Sequence, residues 1–131
     1  VYVKTYIQRN PKELALAETY KMLSLSKRHY ENNGKTNDIR YVNTLILLGD
    51  VLNKACGDNY IIPYRLYMKA FYVIRDNNLT NVNTPIIKSL FISLHEIAAK
   101  YLEEPLKTQL AESIKPYEKA IKQKTPGNTR Q

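Results

Sequence analysis

At 131 residues the chain is long enough for one domain with a single core and too short for two ordinary ones; 44% hydrophobic and 24% charged residues mark a globular rather than a disordered protein. Its formal net charge of +8 sits at the ends: residues 1–30 hold six basic and two acidic side chains, residues 114–131 five and one, and the stretch 31–113 nine of each. The longest apolar run is Leu45 to Gly49, no basic-then-apolar leader opens the chain, and Cys56 is the only cysteine, so a membrane span, a secretory precursor and an intramolecular disulfide are not expected.

Residues 1–7 (Val1-Tyr2-Val3-Lys4-Thr5-Tyr6-Ile7) alternate and are β-prone, yet no second segment alternates convincingly, so an extended arm is expected there. Asn10-Pro11-Lys12-Glu13 reads as an N-cap, a proline at the first helical position and a glutamate at the third, and Asn32-Asn33-Gly34 reads as a stop, giving a helix over about 11–31. Thr36-Asn37-Asp38 starts a second helix, about 38–56, carrying Tyr41, Leu45, Leu48, Leu52 and Ala55 at spacings of three and four and ending at Gly57. Pro63 opens a third, with Leu66, Tyr67, Ala70, Phe71 and Ile74 on one face and Asp76-Asn77-Asn78 as its end. Thr84-Pro85 caps a fourth, running to about Glu104, with the cleanest stripe in the chain: Ile87, Leu90, Phe91, Leu94, Ile97, Ala98 and Tyr101. Pro105 starts a fifth whose Leu106, Leu110, Ile114, Tyr117 and Ile121 are expected to face inward, with a bend or break at Pro116 and an end at Thr125-Pro126-Gly127.

Short connections and one apolar stripe per helix predict an all-α fold: an antiparallel four-helix bundle over 37–124, preceded by a basic arm and helix over 1–36 and followed by a tail over 125–131. The first helix differs from the rest. Leu16, Tyr20, Leu23 and Tyr30 lie on one side with Lys27 among them, while Leu14 and Leu25 lie nearly opposite, beside Lys21 and Arg28. Such a helix calls for contacts on two sides, either at the centre of a five-helix domain or between a partner subunit and a phosphate backbone.

Catalytic signatures are sparse. Four glycines supply no phosphate-cradling loop, and no G-x-S-x-G elbow occurs. His95-Glu96 begins like a zinc-protease motif, but Ala99 stands where the second histidine belongs, and Cys56 reads as a small buried hydrophobe. Neither a catalytic centre, a metal site nor a bound cofactor is expected.

The positive signal is cationic. Neutralising several phosphates needs long basic side chains repeated along an element, without a fixed motif. Lys4, Arg9, Lys12, Lys21, Lys27 and Arg28 supply this along the first thirty residues, with Lys119, Lys122 and Lys124 on the last helix as second-rank candidates. Lysines outnumber arginines, and neither a base-reading helix nor an RNA-binding aromatic signature is present, so contacts to the backbone without sequence preference are expected. Eleven of thirteen aromatics are Tyr, and Tyr2, Tyr6, Tyr20 and Tyr30 are candidates for contacts between subunits or against sugars.

A basic N-terminal arm and helix, a neutral helical body and a basic C-terminal end resemble the major coat proteins of filamentous archaeal viruses, the lipothrixvirus type and its rudivirus relatives. The resemblance rests on length and charge layout over nearly the whole chain rather than on a short motif. It implies a structural coat subunit of a virion, assembled inside the host cell, that wraps linear double-stranded DNA in the A form with the segment from Pro11 to Arg28. It also implies neighbouring coat subunits as partners, among them a paralogous second coat protein, and contact with a lipid envelope without a membrane-spanning segment. Two other readings stay open: a basic helical module that docks an acidic protein, and a small chromatin-like or RNA-binding factor.

Overall fold

A computed structural model describes the backbone of residues 11–55 and 58–129 and the side chains of 15–55 and 58–121. The described residues form five helices and no strand: α1 (Pro11–Asn32), α2 (Ile39–Ala55), α3 (Ile61–Asp76), α4 (Thr84–Tyr101) and α5 (Leu106–Thr129). The expected arm over 1–7, the cap Asn10 and the stop Gly57 lie outside the described residues.

Local chemistry explains most helix ends. Gly34, at φ 67°, follows α1; Lys35 N–H donates to the Tyr30 carbonyl (2.9 Å) and Gly34 N–H to that of Glu31, a left-handed cap that closes two otherwise orphan carbonyls. Asn78, at φ 55°, repeats the device after α3, with Leu79 N–H donating to Ile74 (3.0 Å) and the Leu79 side chain folding onto the core. Asp38 caps α2 by accepting from Arg40 N–H at 2.8 Å.

Four expected ends are corrected. The cap of α4 is Asn83, which accepts from Ile86 N–H, so Thr84 is already helical and Pro85 sits in the first turn; α4 also stops at Tyr101, short of Glu104. Helix α3 begins at Ile61, two residues before Pro63, because a proline in the first turn has no missing partner: that N–H would be orphaned anyway. Helix α5 runs without interruption through Pro116 and past Thr125-Pro126-Gly127, giving up only the helical donors those prolines lack.

Consecutive helices pack on one another, most extensively α2 on α3. Helix α2 is central: its buried positions Tyr41, Leu45, Leu48 and Val42, Ile46, Gly49 form two adjoining stripes, and it packs against both α1 and α3. Gly49 permits the closeness, since a Cβ there would lie 2.5 Å from the Tyr67 ring. Tyr67, buried beneath it, donates its hydroxyl to Asp50. Phe71 then meets Phe91 and Tyr117 edge to face, at 6.2 and 5.4 Å between ring centres, which ties α3 to α4 and α5. The α4 stripe Ile87, Leu90, Phe91, Leu94, Ile97 and Ala98 is buried as expected, as are Leu110, Ile114 and Ile121 of α5. Leu106 is not: it is 57% exposed at the α4–α5 corner. No described helix is long and apolar enough to cross a membrane.

Helix α1 is a peripheral layer. Leu16, Leu23 and Tyr30 are half-buried toward α2, no side chain of 15–32 is fully buried, and Met22 and Leu25 are 69% and 54% exposed. It neither fills the centre of a five-helix core nor stands free of the body.

Candidate nucleic-acid interface

The way α1 is fastened decides which of its charges are available. Glu31, in its last turn, accepts from the Tyr41 hydroxyl of α2 at 2.7 Å, from Lys27 Nζ at 2.9 Å and from Lys69 Nζ of α3 at 3.3 Å. Partial burial works to raise the Glu31 pKa, but hydrogen bonds from Tyr41, Lys27 and Lys69 outweigh it and bring it from 4.5 to about 2. Burial, and then the neighbouring carboxylate, push the Tyr41 phenol up. Tyr30 packs edge to face on Tyr41 at 6.1 Å, and the Lys69 ammonium lies 5.9 Å from the same ring. One carboxylate thus clamps three helices.

In this node Lys27, a candidate phosphate contact, pairs with Glu31 one turn on, and Tyr30 packs on Tyr41 within the subunit. Lys21 and Arg28 are exposed and make no ion pair among the described residues. Together with Leu25 they follow a spacing of four and three, so they lie on one side of α1, and Met22 joins Leu25 on the adjoining ridge. The outer side of α1 is therefore a run of free cations interleaved with uncovered apolar side chains along a helix about 33 Å long.

The inner edge of α1 borders a groove of about 480 Å³ against α2 and α3. Its floor is apolar, from Tyr20, Leu48, Leu52, Ile62 and Leu66, and its rims are cationic, with Lys27 and Arg28 on α1 facing Arg65 and Lys69 on α3. Arg65 and Lys69 were not anticipated, because they belong to the charge-balanced stretch 31–113. Their spacing of four residues, off the buried stripe of α3, was the available signal.

Lys119 is exposed on α5, which packs on α4, while α1 packs on α2. Lys4 and Arg9 lie outside the described residues; Lys12, Lys122 and Lys124 lie within helices, but their side chains are outside the described set. His95 pairs with Glu118 across α4 and α5 at 2.9 Å. Among the described residues no three His, Cys, Asp or Glu side chains gather where they could hold a metal ion. Comparison with known proteins finds no matching family model, no matching curated protein and no matching solved structure.

Proposed function

We propose that this chain is a structural, non-catalytic subunit that packages linear double-stranded DNA, a viral major coat protein with α2 to α5 as a four-helix body and α1 as the wrapping element. The observation that carries the reading is the outer side of α1, where exposed Lys21 and Arg28 stand beside exposed Met22 and Leu25. A purely solubilising face has no use for uncovered Met and Leu, and a buried helix has no use for free cations. A helix laid along a duplex with a neighbouring subunit over it uses both: ammonium and guanidinium groups neutralise phosphates and release counterions, while the apolar side chains meet protein. Lysines and arginines acting as phosphate contacts carry no sequence information, so packaging is indifferent to sequence. Lys4, Arg9, Lys12, Lys119, Lys122 and Lys124 extend the same contact set in this reading.

Electron microscopy of the protein mixed with linear duplex DNA tests it. Regular filaments on unrelated sequences are expected. Isolated particles, or binding confined to one short site, would replace the coat reading with an interaction module or a sequence-reading factor.

A further inference from the structure

The groove between α1 and α3 has an occupant to match elsewhere on the same molecule, at the corner that follows α4. We infer that it receives the α4–α5 corner of a second copy of this chain, making a head-to-tail contact in which one subunit's corner enters the next subunit's groove.

The argument starts from charge. Of the four cations on the groove rims, Lys27 and Lys69 share the single carboxylate of Glu31, which also takes the Tyr41 hydroxyl, so Glu31 is fully engaged. Among the described residues Arg65 makes no ion pair, and it stands beside an apolar floor to which the 47%-exposed Ile62 contributes. A matching partner therefore presents a carboxylate close to a protruding apolar side chain.

The α4–α5 corner does so. Glu103, Glu104, Pro105 and Leu106 are all exposed in succession, ahead of half-buried Lys107, and Leu106 occupies a position whose periodicity called for burial yet is 57% exposed. Glu104 is held in place by accepting from Thr108 N–H and from the Thr108 hydroxyl, so the corner is pre-shaped rather than loose. In the inferred contact Glu103 of one copy pairs with Arg65 of the next, and Leu106 covers Ile62 and Leu66. The corner belongs to α4 and α5 and lines none of the groove, so both surfaces of one molecule can be engaged at once. A contact between two different surfaces does not close on itself in a pair; it propagates into a ring or an open helix. The inference rests on the reading of the chain as an assembling subunit and names the contact, but its test reads self-association in the absence of nucleic acid and so stands or falls separately from DNA binding.

Sedimentation velocity of the full chain over a concentration series supplies the test, with circular dichroism to show that each variant is folded. Wild type should form oligomers that grow with concentration. Arg65→Glu and Glu103→Arg, both at exposed positions, should each weaken association at least tenfold. Mixed together, the two should recover growth in alternating order, because the unchanged corner of the Arg65→Glu chain meets the unchanged groove of the Glu103→Arg chain and the two swapped charges meet at the next contact. The chain carrying both changes should recover growth, since the swapped charges again complement each other. A wild type that remains monomeric, single variants that assemble like wild type, or a double variant that does not recover would each overturn the proposal. If Arg65→Glu lowers duplex affinity while leaving self-association unchanged, the groove is a phosphate site and the proposal fails.

Discussion

Helices α1 and α4 are both amphipathic by sequence, yet they end in different places. In α4 the apolar residues follow one stripe, and Ile87, Leu90, Phe91, Leu94, Ile97 and Ala98 are all buried. In α1 they are split over two sides, and the structure satisfies only one: Leu16, Leu23 and Tyr30 are half-covered by the body while Met22 and Leu25 stay in solvent. A single stripe is consumed by a core, whereas a second stripe survives folding and remains for something outside the subunit. The contrast separates residues that hold the fold from residues that are left for function.

The largest effect should come from the body. Leu94→Ala removes a fully buried side chain from the α4 stripe and is expected to cost about 2–5 kcal/mol of unfolding free energy, measured by urea denaturation. Gly49→Ala should follow, at about 1–3 kcal/mol, because the added methyl would push the Tyr67 ring away and part α2 from α3.

At the fastening between the two regions the effect should be smaller and dependent on pH. Glu31→Gln leaves Lys27 and Lys69 without their carboxylate and is expected to cost roughly 1–2 kcal/mol near neutrality. The folded-state pKa of Glu31 is lowered from 4.5 to about 2, so its contribution is fully present above about pH 4.5 and is lost as pH falls toward 2. The difference in melting temperature between wild type and variant should therefore be constant down to about pH 5 and shrink below it; a constant difference down to pH 2 would contradict the assignment.

The smallest effect belongs to the outer side of α1. Leu25→Ala should change stability by no more than about 0.5 kcal/mol, since the side chain is mostly in water in the folded state. A cost above about 2 kcal/mol would place Leu25 in a core contact and remove the contrast with α4.

Much of this was legible in the sequence, for identifiable reasons. Gly34 and Asn78 end helices because left-handed backbone suits them, and the three-and-four spacing of α4 maps directly onto its buried face. The prolines were less informative than their reputation. Pro63 and Pro85 tolerate residues ahead of them inside the first turn, and Pro116 lies within a continuous α5. Leu106 misled because periodicity reports which side of a helix a residue occupies, not whether another helix reaches that far. Net charge by segment found Lys21 and Arg28 but could not show that Lys27 is spent on Glu31, or that Arg65 and Lys69 rise from a neutral stretch to face α1. Pairing in space, not count along the chain, decides which cations are free.

The most direct measurement is the salt dependence of duplex DNA binding for wild type and for Lys21→Gln/Arg28→Gln. For wild type, log affinity should fall steeply and linearly with log salt, by roughly 0.9 per phosphate neutralised, with equal slopes on unrelated sequences. Removing both charges should lower the slope by about 2 while leaving the thermal unfolding transition in place, because both side chains are exposed and make no ion pair among the described residues. A flat salt response in the wild type, or an unchanged slope in the double variant, would contradict the claim that the outer side of α1 lies on nucleic acid.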